Sequence, residues 1–118
     1  MPTPKLQTTE ADLREQIRTL CELYGWKMYF TWNSRNSPSG FPDLVLANPQ
    51  QKRVIFAELK SEAGKVTSTQ AEWLDALMAC GQEVEVWRPQ QIHQISWLLQ
   101  PPDRWKRRIN KLIEEVQQ

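Results

Sequence analysis

Two apolar segments joined by a short turn occupy the middle of the chain: Gly40-Phe41-Pro42-Asp43-Leu44-Val45-Leu46-Ala47 and, beyond Asn48-Pro49-Gln50-Gln51, Val54-Ile55-Phe56-Ala57-Glu58-Leu59-Lys60. Their alternation and the turn residues predict an antiparallel hairpin of strands over 43–47 and 53–60. Three charges interrupt it. Asp43 opens the first strand, and Glu58 and Lys60 stand inside the second. Charged groups on apolar strands are costly to desolvate unless each finds a partner. Side chains alternate along a strand, so Val54, Phe56, Glu58 and Lys60 share one face and Ile55, Ala57 and Leu59 the other. Glu58 and Lys60 therefore project together, roughly 6.5 to 7 Å apart. The short hairpin sets Asp43 beside them.

Two carboxylates at one point repel each other unless a cation lies between them. Mg²⁺ suits such a site, because it takes oxygen ligands and is held by one or two carboxylates together with water or phosphate. A metal there polarises a phosphodiester and activates water, with Lys60 placed to stabilise developing charge. For any one of these residues a plainer reading stands beside it: Pro42-Asp43 as a turn, and Glu58 and Lys60 as ordinary charges at the exposed end of an edge strand.

The flanking sequence supplies the rest of an α/β unit. Leu13, Ile17, Leu20, Cys21 and Tyr24 form an apolar stripe at helical spacing that stops at Gly25. Residues 26–32 alternate like a strand, and 33–40 read as a polar loop. Thr67 with Gln70, or Thr69 with Glu72, has capping-box spacing and opens a second helix that runs to Gly81. A strand follows over 83–87, and the intervening helix makes it a parallel neighbour of the strand before it. A short helix over 90–99 and, after Pro101-Pro102, a last helix with the stripe Trp105, Ile109, Leu112, Ile113 and Val116 complete the order α-β-β-β-α-β-α-α. That stripe is expected to pack on the domain, and Trp97 and Trp105 are expected to pack in the core, with a dimer surface as the alternative.

Helical projection brings two further residues toward the hairpin. Glu10 falls at the edge of the first helix's apolar stripe, whereas Glu15 and Glu22 point away. It supplies a third metal ligand, directly or through water, or it complements the helix dipole. Gln70 lies on the inner stripe of the second helix, where it orients the attacking water or Lys60, or serves the capping box of Thr67.

At 118 residues, with 40% hydrophobic and 25% charged residues, the chain has the length and composition of one globular domain. We divide it into a core over about 9–89 and a helical extension over about 90–118. No apolar run approaches the roughly 18 residues of a membrane span, and the N-terminus carries no signal-like segment, so a soluble intracellular protein with no membrane partner is expected. Cys21 and Cys80 match no metal-ligand spacing and read as reduced and structural. The formal net charge is +1, but Arg104, Lys106, Arg107, Arg108 and Lys111 cluster on the last helix.

Taken together, Gly40-Phe41-Pro42-Asp43, Glu58-Leu59-Lys60, Ser61-Glu62-Ala63-Gly64-Lys65-Val66-Thr67 and Gln70-Ala71-Glu72-Trp73-Leu74 resemble the virus-type replication-repair nuclease (VRR-NUC) branch of the PD-(D/E)XK superfamily. The resemblance extends from Glu10 to about Pro89 and is closest to stand-alone members of viral or phage type. It implies a restriction-endonuclease-like αβββαβ core, with a mixed central sheet flanked by helices, and a Mg²⁺- or Mn²⁺-dependent nuclease of a bacterial or phage-infected cell. By position, Asp43, Glu58, the Leu59 main-chain carbonyl and Glu10 correspond to metal ligands, and Lys60 to the catalytic lysine. Gln70 corresponds to the helix glutamine. Stand-alone members resemble Holliday junction resolvases and act as homodimers, so branched DNA is the expected substrate.

For DNA contacts the candidates are Arg35, in the loop before Gly40, Lys65, and Arg104, Arg107, Arg108 and Lys111 on the last helix. A solvated helix face and an ordinary polar loop explain the same residues. A flap or restriction-type nuclease, and a non-catalytic DNA-binding or assembly protein with the same fold, are the competing functions.

Overall fold

The computed structural model describes residues 9–32 and 37–117, with the side chains of 104–106 outside the description. The element order is α1 (Glu10–Tyr24), β1 (Lys27–Phe30), β2 (Leu44–Asn48), β3 (Arg53–Leu59), α2 (Ser68–Ala79), β4 (Glu83–Trp87), a 3₁₀ turn (Pro89–Gln91), α3 (Ile92–Leu99) and α4 (Pro102–Gln117). The sheet runs β1-β2-β3-β4. The first two pairings are antiparallel, with Phe30 opposite Leu44 and Leu44 opposite Ala57, and β4 joins β3 in parallel, with Leu59 opposite Trp87. This is the mixed α/β sheet with flanking helices that the hairpin and the crossover predict. None of the described helices is long and apolar enough to cross a membrane.

α1 starts where its first N–H groups find acceptors. Thr9 Oγ1 accepts from the Asp12 amide at 3.1 Å, and Asp12 Oδ2 accepts from the Thr9 amide at 3.1 Å. Gly25 ends the helix in the left-handed region, at φ 83°. Between these caps Leu13, Ile17 and Cys21 are buried. They lie over one sheet face, where Leu44, Leu46, Ile55, Ala57 and Leu59 meet them, and Ile95 and Leu99 of α3 close the same core. Burial pushes the Cys21 thiol up to about 11, so it stays a neutral thiol. Cys80, at the end of α2, is exposed, and both cysteines are free. On the opposite face α2 is fixed by aromatic edges, Phe41 meeting Phe56 at 6.2 Å and Trp73 at 5.2 Å.

The turn end of the hairpin is sealed by polar bonds. Buried Asn48 donates to the Tyr24 carbonyl at 3.0 Å and accepts from the Gln51 amide at 3.0 Å. The orphan carbonyls at the end of α3 are also taken up. Leu99 O accepts from Trp26 Nε1 at 2.8 Å and Gln51 Nε2 at 3.1 Å, and Leu98 O from Arg53 Nη1 at 3.0 Å. Arg53 also pairs with both oxygens of Glu83, at 2.8 and 3.1 Å, which locks β4 to the hairpin.

Two expectations fail. The apolar stripe of α4 does not pack on the domain: Ile109, Leu112, Ile113 and Val116 are 47%, 50%, 48% and 85% exposed. The core face that would receive it is already closed by α1 and α3, and Pro101-Pro102 turns the chain away. The radius of gyration, 16.5 Å, accordingly exceeds the roughly 13.5 Å of a compact chain of this length. Trp97 is likewise not a core residue, being 40% exposed with the Arg108 guanidinium 5.1 Å from its ring centroid. The side chain of Trp105 lies outside the described residues.

Gly40 provides a test of the packing. It has φ +99°, and a Cβ there would come within 2.7 Å of the Thr69 carbonyl oxygen at the start of α2. Gly81 has φ +80° with no atom near an added Cβ. Gly40→Ala is expected to lower stability by roughly 2–4 kcal/mol and Gly81→Ala by about 1 kcal/mol. Urea unfolding of the two variants measures the difference, and equal losses would contradict the packing of Gly40 on α2.

Candidate active site

One register step beyond the Leu44–Ala57 pair, Asp43 comes opposite Glu58. The backbone around Asp43 is held from β1: the Thr31 amide donates to Asp43 O at 2.8 Å, and Thr31 Oγ1 to Pro42 O at 3.0 Å. The Asp43 side chain reaches across the hairpin, its Oδ2 accepting from the Leu59 amide at 2.8 Å. The acid that opens β2 is thus tied to the end of β3.

Glu58 is not on an edge strand. β3 is paired on both sides, and Glu58 is only 2% exposed. One carboxylate oxygen, Oε1, accepts from Gln70 Nε2 at 3.0 Å and has Lys60 Nζ at 3.8 Å. The other, Oε2, is buried with no hydrogen-bond partner. Lys60 is itself buried, and its amide continues the ladder by donating to Trp87 O at 3.0 Å although β3 ends at Leu59.

Gln70 serves the capping box and makes one further bond, to Glu58. Its backbone amide donates to Thr67 Oγ1 at 3.2 Å and its Oε1 accepts from the Thr67 amide at 2.9 Å. With the oxygen committed to the cap, the amide nitrogen faces Glu58. The group it orients is therefore Glu58, not Lys60.

Burial is the first reason that Glu58 is pushed up to about 8, and the neighbouring Asp43 carboxylate is the second. Lys60 opposes the shift and Glu10 adds to it weakly. Without a cation Glu58 therefore keeps its proton well above the usual carboxylate range.

Glu10 occupies the first turn of α1 and is exposed. It lines a cleft of about 300 Å³ with Arg14, Thr31, Trp32, Asp43 and Leu59. Among the described residues no group of three or more His, Cys, Asp or Glu side chains gathers closely enough to hold a metal ion. The close pair is Asp43 and Glu58, with Glu10 across the cleft. An oxygen-seeking divalent ion fits this pair: the donors are hard, and Glu58 Oε2 is a buried acceptor lacking a partner.

Several residues that shape the site carry no motif. Thr31 holds Asp43 through main-chain atoms. Arg14 and Trp32 line the cleft, Arg14 stacking 4.1 Å from the Phe30 centroid and Trp32 being 77% exposed. Arg88 Nη1 donates to the carbonyls of Ser61 at 2.7 Å and Gly64 at 2.6 Å, fixing the loop that follows Lys60. Thr31 and Arg88 act on backbone carbonyls, which every sequence has, and only the alternation of β1 into Thr31 hinted at one of them. Of the expected DNA contacts, Lys65 is exposed on the Arg88-held loop, and Arg107, Arg108 and Lys111 are exposed on α4. Arg35 and the side chain of Arg104 lie outside the described residues.

A buried Glu and Lys on a central strand, an Asp on its hairpin partner and a helix glutamine define a site of the PD-(D/E)XK nuclease kind. The family model of the VRR-NUC domain matches residues 2–91, and the chain belongs to that family. Among curated proteins it is 39% identical over 56 residues to the Fanconi-associated nuclease 1 homolog of Schizosaccharomyces pombe, covering 48% of this chain and 8% of that one. The Caenorhabditis elegans homolog is 44% identical over 54 residues, covering 46% and 6%. The chain thus spans less than a tenth of the length of these relatives. Among solved structures, one described as a VRR_NUC domain superimposes with TM-score 0.62 at 22% identity, over 74% of this chain and 94% of the other. The Holliday junction resolvase Hjc of Archaeoglobus fulgidus gives TM-score 0.50 at 16% identity, over 67% and 69%. At these identities the structural likeness is one of fold.

The raised Glu58 carboxyl sets a pH dependence. A group with a higher pKa folded than unfolded contributes its full stabilisation below the unfolded value, near 4.5, and loses it as pH rises through about 8. In chelator, the protein's thermal midpoint is expected to fall as pH rises across that window, and Glu58→Gln is expected to flatten the profile. A midpoint that climbs from pH 5 to 8 in the native protein but not in the variant would contradict the assignment.

Proposed function

We propose that this domain is a Mg²⁺- or Mn²⁺-dependent DNA endonuclease that acts on branched DNA as a homodimer. The observation that carries this reading is Glu58 Oε2, a buried carboxylate oxygen with no partner, beside Asp43, which itself lines an open cleft. Asp43 and Glu58 would hold the ion, with the Leu59 carbonyl as a further oxygen donor and Glu10 reaching it from the cleft rim through water. Bound there, the ion supplies Lewis-acid polarisation of a phosphodiester and a water more acidic than bulk water.

The chain's own groups do the remainder. Gln70 fixes the rotamer of Glu58, so the free oxygen keeps one direction without reorganisation. Lys60, held nearly buried, presents an ammonium whose attraction for a phosphate oxygen is little screened by water. It stabilises the negative charge that builds on the phosphoryl oxygens as the P–O bond breaks. Lys65, on the clamped loop beyond, is placed to meet the DNA backbone. Trp32 offers an exposed ring at the cleft rim on which a base displaced at a branch can stack. The preference for branched DNA is supported by the shared fold with the Archaeoglobus fulgidus Holliday junction resolvase.

The test incubates purified protein with end-labelled four-way junction, flap and plain duplex, in Mg²⁺, Mn²⁺ or chelator. Metal-dependent cutting, strongest on the junction, is expected. Asp43→Asn and Glu58→Gln should each reduce the rate by about a thousandfold and Lys60→Ala by about a hundredfold or more, whereas Gln70→Ala should cost about tenfold. If none of the three DNAs is cut in either metal, the nuclease reading is wrong. Cutting that survives Asp43→Asn or Glu58→Gln would place the chemistry elsewhere.

A further inference from the structure

α4 carries three features that its own domain does not explain. Its apolar residues Ile109, Leu112, Ile113 and Val116 are exposed, and shallow apolar grooves flank the Ile109–Leu112 ridge. One, of about 560 Å³, lies against Trp97 and Leu98 of α3, and the other, of about 310 Å³, runs on to Val116. In the sequence, Trp105, Ile109, Leu112 and Val116 recur at spacings of four, three and four, the seam of a two-helix coiled coil. The charges are divided along the helix axis. After Asp103, the first part holds Arg104, Lys106, Arg107, Arg108 and Lys111, and the last turn holds Glu114 and Glu115.

The charge division decides what the helix faces. An isolated helix favours acids at its N-terminus and bases at its C-terminus, where they offset the macrodipole. α4, with bases early and acids late, has most of its charges the wrong way round for that. An antiparallel helix beside it reverses the account, because the basic half of each then faces the acidic end of the other and the two dipoles oppose. In a parallel pair the basic stretches would lie side by side, as would the acidic ends, and Arg108 would have Ile113 of the other helix as its flank neighbour and no acid. Setting Ile109 of one copy against Leu112 of the other makes Val116 face Trp105 in the same register and brings Arg108 alongside Glu115 on the flank. The arrangement closes on itself with two-fold symmetry, every contact occurring twice.

We infer that α4 is a self-association surface through which two copies of this chain pair antiparallel. The occupant is a second copy because a sequence whose two halves complement each other in charge and register matches itself. A phosphate backbone gains nothing from the apolar seam, and an anionic lipid surface, though drawn to the basic stretch, leaves Glu114 and Glu115 unpaired where an antiparallel copy pairs them. This surface lies outside residues 2–91 of the family match and is independent of whether the site cuts DNA.

Sedimentation equilibrium of the full chain at micromolar concentrations tests the inference without any cleavage assay. The expected mass is that of two chains. Leu112→Glu and Ile109→Glu, at half-exposed positions that leave the core intact, are each expected to yield monomers with unchanged near-UV circular dichroism. Arg108→Glu or Glu115→Arg alone should weaken the dimer about tenfold, each change being felt twice. The double exchange Arg108→Glu with Glu115→Arg should restore it. A native chain that sediments as a monomer overturns the inference, whether or not it binds anionic vesicles. A dimer that withstands both glutamates overturns the surface, and failure of the double exchange to rescue overturns the antiparallel arrangement.

Discussion

A carboxylate buried in the middle of a sheet is the constraint around which the site end of this molecule is organised. Glu58 sits on β3, paired on both sides and nearly closed to water. Removing an isolated carboxylate from water costs several kcal/mol, so the surrounding groups must offset that cost or the acid must take up a proton. Gln70 and Lys60 address one of its oxygens, and nothing in the described chain addresses the other. Asp43, whose own carboxylate would worsen the repulsion, is held in place by the Leu59 amide and by backbone bonds to Thr31. A protein optimised for stability alone would replace Glu58 with an apolar residue. Keeping it here is intelligible when a cation restores the balance.

The opposite end of the sheet shows what the chain does where no such demand exists. At the β2–β3 turn Asn48, Trp26, Gln51 and Arg53 satisfy the carbonyls at the ends of α1 and α3. These bonds fasten both helices to the hairpin, so its far end works from a rigid base. Positioning of Asp43 and Glu58 therefore rests on register, which a paired strand holds more precisely than a loop. The one loop that matters, following Lys60, is drawn onto β4 by Arg88.

The hairpin, the first helix and the convergence of Asp43, Glu58 and Lys60 were legible in the sequence because each rests on periodicity or on a short turn. Period two put Glu58 and Lys60 on one face, and a four-residue turn placed Asp43. Gln70 was legible as a residue but not as a role: its spacing from Thr67 revealed the cap, while the second bond needed the distance between α2 and β3. Arg88 was not legible and Thr31 only as part of an alternating strand, since their partners are carbonyls and the contacts depend on how separate elements meet. For α4 the amphipathic pattern stated that one face requires a partner and could not state whose. The assumption that this face packs on its own domain failed because α1 and α3 had already used the available apolar sheet surface.

That failure bears on how two sites could be spaced. The helix begins at Pro102, directly after the end of α3, which is bonded to the turn end of the hairpin. With Ile109 against Leu112, an antiparallel pair sets the two Pro102 positions about 25 Å apart along the helix axis, since each residue advances about 1.5 Å. The domains then hang from opposite ends of a common rod and are related by its two-fold axis. The distance between their clefts is governed by the length of α4 more than by anything in the catalytic core. Loss of one heptad between Pro102 and the seam in both copies would draw the two attachment points together by about 21 Å without altering Asp43, Glu58 or Lys60. A helix of different length after the core would in this way change the spacing of the two clefts while leaving Asp43, Glu58 and Lys60 untouched.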